Sequence, residues 1–349
     1  MAAPKNAINR FDLSMSYSEF NFIMNRRKYI GLKILPPIGV AQEAASFARL
    51  NVGSYMKKPE DTARAPRSGY NRDTFTWDQD EYATQEHGVE EVCDDAEEEL
   101  YGDVIRGEML ATARTADRVL ARLEQDISDL VSGPTALATW NTADLTTAAG
   151  AVWSDKAAAD PIADIDAARE KVKVSCGMRP NTLQLTDTDF INCIRTDRIE
   201  GLLRYDLGQI MLALNGQAGY HVVEYVATGL AALFQVEMVY IGQSFMRVTN
   251  DGADHEFGRF WTPGRAMLCH VNNDGMQGDL RAAVPNIGRT IWTNKNNEPM
   301  PGMEDGGYGS LLFDEYREEQ TRGSVFRARN KRQVKLMHKE AGHLITGLV

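Results

Sequence analysis

The chain lacks the features that would point to a membrane protein, a secreted protein or a nucleic-acid-binding protein. No run of 18 apolar residues occurs in its 349 residues, so no transmembrane helix and no membrane partner are expected. The first ten residues contain no apolar signal segment. Positive charge is in short supply, and the net charge of −11 argues against a basic surface that wraps nucleic acid, because each phosphate contact needs a Lys or Arg.

Cysteine and the common catalytic motifs are also scarce. The four cysteines are far apart and show no CxxC spacing, which indicates reduced thiols. The six histidines form no HExxH pattern, and neither GxSxG nor a Walker loop occurs. Asp251–Glu256 only loosely resembles a calcium loop, since it lacks the ligand spacing and the terminal Glu. We therefore predict no catalytic residue, no cofactor and no metal site.

The composition does provide a core. Hydrophobic residues make up 43% of the chain and charged residues 25%, which is typical of globular proteins. The length predicts two or three lobes. Near the start, Tyr17–Tyr29 has the pattern of a short helix, whereas the two prolines within Ile34–Val40 exclude a helix there. We interpret Ile34–Val40 as part of an extended arm.

A polar stretch follows the arm. Residues 57–72 are rich in turn formers, and Thr74–Tyr82 and Val89–Cys93 then alternate like two strands. Together they predict a long hairpin with too few apolar residues for a core of its own. Because an isolated hairpin is marginal in water, it should pack on another surface, and a neighbouring copy of the chain is the simplest one. A disordered surface loop is the alternative.

The clearest helix begins at Asp94. Five acids occupy Asp94–Glu99, where the helix dipole favours negative charge. Apolar residues then recur every three or four positions until Ser132-Gly133-Pro134 ends the helix. About 38 residues would give a rod of roughly 55 Å. A single apolar stripe favours a spine on which other elements pack, and a coiled coil is the alternative.

A mixed α/β lobe comes next. Asp160 and Pro161 are typical of a helix start, and Ser175-Cys176-Gly177 of a helix end. Thr186–Asp189 resembles a capping box that opens a further helix. From here to the end of the chain the pattern predicts six strands: Thr182–Leu185, Val222–Val226, Val236–Ile241, Met267–Val271, Gln333–His338 and His343–Val349. Asn294–Gly309 should be a loop. Arg327, Arg329, Lys331 and Arg332 form a basic strip that could face DNA, although a solvated strand edge is favoured.

The order of these features resembles the major capsid protein family of tailed bacteriophages, which has the Hong Kong 97-type fold. The stretches that carry the resemblance are Ile34–Val40, Arg64–Ser68 with Tyr82–Glu90, Trp153–Asp155 with Asp160–Ile165, Gly177–Leu183, Trp261 with Met267–Val271, and Gly342–Ile345. They span roughly residues 30 to 349. Each motif is weak alone, but loop, spine and apical lobe occur in the family's order.

The resemblance implies an α+β fold with an N-terminal arm, an extended β-hairpin loop, a long spine helix in a peripheral domain, and an α/β axial domain. The implied domains are the arm (1–51), the extended loop (52–93), the peripheral domain (94–139 and 272–349) and the axial domain (140–271). On this basis the loop lies over a neighbouring subunit. The residues that we predict to make inter-subunit contacts are Arg64, Arg67, Phe75, Trp77 and Tyr82.

The resemblance also implies a function that is structural and not enzymatic. Pentamers and hexamers would assemble into an icosahedral shell that encloses double-stranded DNA without sequence-specific binding, so the protein would reside in the virion. Only about 50 residues precede the loop, so we expect no long fused scaffold, and a separate scaffolding protein, a portal protein and possibly a decoration protein as partners. Lys57 and Lys58 lie where some family members form cross-links, but no partner residues are identifiable. An encapsulin-like compartment and a soluble α/β enzyme are the alternatives.

Overall fold

The computed structural model of the protein describes most of the chain. The described residues are 8–9, 29–58, 63–64, 66–70, 72–74, 76–96, 99, 107–133, 145–202, 220–249, 254, 256–272, 285–293 and 311–349. The predicted helix Tyr17–Tyr29 (apart from Tyr29) and the predicted loop Asn294–Gly309 lie outside these residues.

Strands and helices are interspersed along the described chain. The strands are β1 (Ile8–Asn9), β2 (Pro37–Val40), β3 (Ala44–Leu50), β4 (Trp77–Ala83), β5 (Gln85–Asp94), β6 (Thr146–Ala148), β7 (Thr182–Thr186), β8 (Met238–Gly242), β9 (Phe245–Arg247), β10 (Phe257–Arg259), β11 (Arg265–Cys269), β12 (Gly288–Thr293), β13 (Leu312–Glu318), β14 (Gly323–Leu336) and β15 (Gly342–Thr346). The helices are α1 (Gly31–Ile34), α2 (Val52–Tyr55), α3 (Gly107–Val131), α4 (Pro161–Cys176), α5 (Asp187–Ile194) and α6 (Tyr220–Leu233), with a 3-10 turn at Lys339–Ala341.

The larger sheet is organised around β14. This 14-residue strand pairs antiparallel with β13, β5 and β12, and β12 continues to β2 in parallel. Side chains of β14 alternate between two faces. Phe326, Ala328 and Arg332 point to the interior, whereas Arg327 and Arg329 point to the opposite face. The tail was predicted to contain a short strand at Gln333–His338, and most of that segment is the end of this longer strand.

Helix α3 covers the interior face of the larger sheet. Its apolar stripe includes Val119, Leu120, Leu123, Ile127 and Val131, all at most 5% exposed. At about 2 kcal/mol for each fully buried side chain, this stripe contributes on the order of 10 kcal/mol before entropy is counted. The helix ends at Val131, as the Gly133 and Pro134 pattern predicted. It therefore acts as the predicted spine.

The start of the predicted 38-residue helix is different. Asp94 ends strand β5, where its backbone pairs with Gly323 of β14, and helical backbone begins one residue later, at Asp95 and Ala96. The carboxylate of Asp94 accepts a hydrogen bond from the backbone N–H of Ala96. The described helix α3 has 25 residues, about 37 Å at 1.5 Å each. Most of the residues between Asp95 and Gly107 lie outside the described part of the chain.

The smaller sheet joins two hydrophobic cores. Its strand order is β6, β15, β11, β7, β8. Strand β11 is buried on both faces: Met267 packs in the core under α3, whereas Leu268 packs in a second core with helices α4, α5 and α6. Leu344 and Ile345 of β15 divide in the same way. The alternation of these strands therefore holds the two lobes together.

The helix starts predicted for this lobe are confirmed. Asp160 accepts a hydrogen bond from the backbone N–H of Ala163, and Pro161 occupies the first turn of α4. Helix α4 ends at Gly177, which has a φ of +69°. The hydroxyl of Thr186 accepts a hydrogen bond from the backbone N–H of Asp189 at the start of α5.

One predicted strand is wrong. Val222–Val226 lies in helix α6, although two adjacent valines favour a strand. The second half of the helix packs Leu230 and Ala231 into the core of the α/β lobe, next to Phe234 just beyond its end. Burial of this helical stripe outweighs the local preference of the valines.

The predicted partner strands of the extended hairpin also need correction. Strand β4 pairs with β3, from Ala44 opposite Ala83 to Leu50 opposite Trp77. The second predicted strand, Val89–Cys93, belongs to β5 and pairs with β14 in the larger sheet. The hairpin is thus built from residues 44–83. Its first strand comes from the segment that the sequence analysis assigned to the arm. The sequence pattern did not reveal this pairing, because the two strands are more than 25 residues apart.

Candidate inter-subunit site: the extended hairpin

The β3–β4 hairpin has little apolar material of its own. Its apolar contact with the larger sheet is one small cluster, in which Phe47 and Tyr82 pack beside Ile38, Ile291 and Met337. The rings of Phe47 and Tyr82 have centroids 6.2 Å apart. This cluster is too small to stabilise seven residue pairs alone, so polar contacts must hold the root of the hairpin.

Three cationic side chains make those polar contacts. The ammonium of Lys335 lies 2.5 Å from a carboxylate oxygen of Asp80 and also donates to the carbonyl of Glu81. Lys331 pairs with Glu43 at 2.7 Å. Arg49 donates to the carbonyl of Met337 at 2.5 Å and pairs with Asp78. Cations from the sheet and from the hairpin thus lock the two together.

The contacts at this root change the pKa of the Asp80 carboxylate. Partial burial alone would raise its pKa, but the hydrogen bond and the charge of Lys335 outweigh burial and hold the pKa of Asp80 below its usual value. The ion pair therefore persists into mildly acidic solution.

Beyond the root the hairpin is exposed. We call residues 56–76 the hairpin tip. Met56, Tyr70 and Trp77, at and just beyond the tip, are 49%, 75% and 54% exposed. Met56 also lies against Gly177 at the end of α4. A tip that exposes this much apolar surface is typical of a segment that binds a partner.

Local contacts shape the tip. Lys57 pairs with Asp73 at 3.0 Å and donates to the carbonyl of Thr74, which joins its two ends. The guanidinium of Arg64 lies over the ring of Tyr70, 4.6 Å from its centroid. Arg67 is exposed and has a φ of +68°. The tip therefore presents cations beside an exposed aromatic ring.

The predicted contact residues fall into three groups. Arg64, Arg67 and Trp77 are on or next to the exposed tip. Phe75 lies outside the described residues. Tyr82 is only 6% exposed, because its ring packs on Phe47 in its own chain. In the single subunit Tyr82 therefore supports the hairpin root.

The basic strip predicted on β14 is neutralised. Arg327 pairs with Glu90 at 2.5 Å, and Arg329 contacts both Asp314 and Glu86. β14 is an interior strand with neighbours on both sides, so the favoured interpretation as a solvated strand edge is wrong. Paired in this way, the strip offers no excess positive charge to DNA.

Arg332 differs from the rest of the strip because it points inward. It is 1% exposed, donates to the carbonyl of Val119, and pairs with Asp126 at 3.3 Å. A cavity of about 490 Å³ lies beside it, lined in part by Arg122, Asp129 and His87. Burial and the nearby charge of Arg332 lower the pKa of His87. With two cations and two carboxylates, the cavity has no net charge to select an ion.

Sequence reasoning missed a buried carboxylate on the spine. Glu124 is 2% exposed and accepts three hydrogen bonds: from the backbone N–H groups of Ile30 and Gly31 and from the indole of Trp261. Burial raises its pKa to about 7. The sequence did contain a sign that Glu124 is buried, because Glu124 follows Leu120 by four residues and therefore lies on the same apolar stripe.

The described residues contain no cluster of three or more His, Cys, Asp or Glu side chains arranged to hold a metal ion. Within the same part of the chain, none of the helices has the length and apolarity to cross a membrane. The four cysteines are free thiols, and burial raises the pKa of Cys269 to about 12.

Comparisons with known proteins show structural similarity. No protein-family model and no curated protein matches the sequence. A phage-related protein from Bordetella bronchiseptica RB50 is similar over 99% of both chains, with a TM-score of 0.65 and 18% identity. A putative prophage capsid protein from E. coli CFT073 matches with a TM-score of 0.52 and 13% identity, over 97% of this chain and 99% of that one. A virus-like particle from Pyrococcus furiosus matches with a TM-score of 0.51 and 9% identity over 96% of both.

These likenesses span nearly the whole chain and include both lobes. They show that the chain has the fold of these phage and particle proteins, and they confirm the Hong Kong 97-type fold that the sequence predicted.

Proposed function

We propose that this protein is a major capsid protein of a tailed bacteriophage. Copies associate as pentamers and hexamers, and these close into an icosahedral shell around double-stranded DNA in the virion. The role is structural and not catalytic. Support comes from the fold, which covers 99% of a phage-related protein and 99% of a putative prophage capsid protein.

The observation that carries the proposal is the exposed hairpin. A hairpin of this length is marginal in water unless it packs on another surface. Its root is held by ion pairs, yet its tip leaves Tyr70 and Trp77 more than half exposed. A second copy of the chain would cover this surface in a shell. Arg64, Arg67, Phe75 and Trp77 are the proposed contacts, and Tyr82 positions them from the root.

A hairpin variant tests the proposal. We expect the wild-type protein, with its assembly partners present, to form capsomers or shells, visible by negative-stain microscopy and by analytical ultracentrifugation. Replacement of residues 57–74 by a short Gly-Ser linker should abolish these particles, because the inter-subunit surface is lost. The variant should keep the far-ultraviolet circular dichroism of the wild type, since both hydrophobic cores lie outside this segment.

Two results would contradict the proposal. One is a wild-type protein that stays a monomer at high concentration and with its assembly partners present. The other is a linker variant that assembles as readily as the wild type.

The fold is also compatible with an encapsulin-like compartment, the alternative considered from the sequence. The contents of purified particles separate the two functions: packaged DNA supports the capsid, whereas a protein cargo supports the compartment. The acidic net charge of −11 and the neutralised face of β14 suit a wall that contains DNA without gripping it or reading its sequence.

The proposed partners are a separate scaffolding protein and a portal protein, with a decoration protein as an optional third. They rest on the resemblance of the sequence to the capsid family. Expression of this chain alone should give aberrant or unassembled protein if a scaffolding protein is required. Correct shells from the chain alone would exclude that requirement.

A further inference from the structure

Three arginines form a row along the outer side of helix α3. Arg114, Arg118 and Arg122 follow one another at intervals of four residues, which places them on one face of the helix. All three are exposed, whereas the apolar stripe of the same helix faces the core. The row is about 12 Å long at 1.5 Å per residue. We call these three residues the arginine row.

The cations are the more exposed partners in both ion pairs of the row. Arg114 pairs with Glu91 at 2.8 Å, and its side chain is 52% exposed against 19% for Glu91. Arg122 pairs with Asp126 at 2.9 Å, and the exposed fractions are 65% and 23%. The guanidinium groups therefore lie outermost, with the carboxylates beneath them.

Arg118 adds a further positive charge to the row. Within the described part of the chain, no carboxylate forms an ion pair with its guanidinium. Three other acids on α3, Glu108, Asp117 and Asp129, are half-buried, in contrast to the exposed arginines. The carboxylate of Asp117 also accepts a hydrogen bond from the hydroxyl of Tyr29 at 3.1 Å. The outermost charges on this side of the helix are thus positive, although the whole chain has a net charge of −11.

The opposite face of the larger sheet has the reverse arrangement. The side chain of Arg327 is 11% exposed and that of its partner Glu90 is 47% exposed. For Arg329 and Glu86 the exposed fractions are 30% and 48%. Carboxylates are outermost there. The layer formed by sheet and spine therefore presents negative charge on one face and positive charge on the other.

Phosphate is an anion that suits the arginine row. A planar guanidinium donates two parallel hydrogen bonds to a phosphate group. Duplex DNA carries one charge for about every 1.7 Å of its axis, so about seven phosphates lie along a length of about 12 Å. Each arginine of the row can therefore reach a phosphate. Contacts of this kind carry no sequence information.

The two faces of the layer differ in what they attract. A wall that is one subunit thick turns one of these faces to its contents. Of the two, the spine face has outermost charges that attract phosphate, whereas the carboxylates of the other face repel it. An acidic protein segment would also pair with arginines, but the proposed function supplies DNA as the bulk of the enclosed material.

We propose that the arginine row binds phosphate groups of the enclosed double-stranded DNA. The inference rests on the proposed function and names residues of the shell that contact its contents. Each contact is weak, because Arg114 and Arg122 remain shared with Glu91 and Asp126. The copies in a shell repeat the row many times, so weak contacts add up along the DNA without a tight grip.

DNA binding by unassembled subunits tests the row in solution. The triple variant Arg114→Gln, Arg118→Gln, Arg122→Gln should bind a fluorescent duplex of mixed sequence at least about tenfold more weakly than wild type at low salt. The slope of log affinity against log salt concentration should fall by about 2.7, since each phosphate contact contributes about 0.9. Fluorescence anisotropy measures both quantities, and circular dichroism checks that the variant is folded.

The matched control removes three cations from the α/β lobe. Lys156, Lys171 and Arg195 are exposed, and their replacement by Gln changes the net charge by the same amount as the row variant. The control should keep the salt dependence of the wild type. Equal salt slopes for wild type and the row variant, or no detectable binding of the duplex by wild type, would overturn the proposal.

Chemical modification tests the contact inside particles. An arginine-specific glyoxal reagent should modify Arg118 several-fold less in DNA-filled particles than in particles emptied of DNA, measured by mass spectrometry. Arg195 is the internal control and should react equally in both. Equal protection of Arg118 in filled and emptied particles would show that a protein surface covers the row, and equal reactivity would show that nothing does. Either result overturns the DNA contact.

Failure of this inference is distinguishable from failure of the proposed function. Particles that contain a protein cargo and no DNA would overturn the capsid function, whatever the subunits bind in solution. Particles that contain DNA, together with a row variant that binds the duplex like wild type, would leave the capsid function intact and overturn the arginine row alone.

Discussion

Glu124 links three separate parts of the chain through one side chain. Its carboxylate lies on the spine and receives hydrogen bonds from the backbone N–H groups of Ile30 and Gly31 at the start of α1 and from the indole of Trp261. Three donors stabilise the charged form, but complete burial opposes it more strongly. The pKa of about 7 places this titration near neutral pH.

The raised pKa predicts a pH-dependent stability. A carboxyl with a pKa of about 7 in the folded chain and 4.5 in the unfolded chain binds its proton more tightly when folded. Its contribution to the free energy of unfolding is full below pH 4.5 and is lost as the pH rises to 7, by about 3 kcal/mol. Glu124→Gln should flatten this decline in thermal unfolding of unassembled subunits.

The control for this experiment is Glu108→Gln, on the same helix but partly exposed. It should leave the decline unchanged. Equal slopes for wild type and Glu124→Gln between pH 4.5 and 7 would show that Glu124 does not titrate in this range.

Gly177 gives a second prediction for a single residue. Its φ of +69° ends helix α4, and a Cβ at this position would meet the sulfur of Met56. Gly177→Ala should lower the free energy of unfolding by about 1 kcal/mol or more, measured by chemical denaturation. Gly201→Ala, where a Cβ would meet no atom within 4 Å, is the matched control and should cost less. Equal losses in both variants would contradict the argument.

Individual residues also show how far the sequence can be interpreted. Asp160, Pro161 and Thr186 were predicted correctly because a cap acts within four residues of the chain. The roles of Glu124 and Lys335 depend on partners more than 90 and 250 residues away. No local pattern specifies such partners, although a charged residue on an apolar stripe marks the position as unusual.

At the scale of elements, the root of the hairpin determines its direction. Lys335 connects β14 to both a side chain and a backbone carbonyl of β4. Lys335→Met removes these bonds and keeps most of the apolar length of the side chain. We expect the hairpin of unassembled subunits to be cleaved several-fold faster by a protease, because local opening becomes easier.

The two lobes should be unaffected by Lys335→Met. Their thermal unfolding should shift little, since Lys335 lies outside both large cores. Lys171→Met is the control for loss of a surface cation. An unchanged cleavage rate in the Lys335 variant would mean that the remaining root contacts, including the Lys331–Glu43 pair, hold the hairpin without Lys335.

The type of an element, helix or strand, was predicted correctly where one period of apolar residues dominates its sequence. The apolar spacing in α3 and the alternation in β7 gave the correct type. The Val222–Val226 segment was assigned to the wrong type because five residues are too few to distinguish a buried helix from a strand. The pairing of β3 with β4 could not be predicted, because 26 residues (51–76) separate the strands.

At the scale of the whole molecule, the predicted architecture is confirmed at the level of the fold. The domain boundaries and the five inter-subunit contacts stay predictions. A single chain cannot show which surface of a neighbour covers Tyr70 and Trp77, because that information belongs to the assembly.

Strand β14 has a mechanical consequence. It pairs with β5 over ten residues, with β13 over seven and with β12 over five, and the root of the hairpin lies at its carboxyl end. A pull that separates the hairpin from the other end of β14 loads the strand lengthwise. Its backbone hydrogen bonds then resist together in shear and are not peeled open one at a time. A load in this direction would thus be carried, among the described strands, by the one with the most paired residues.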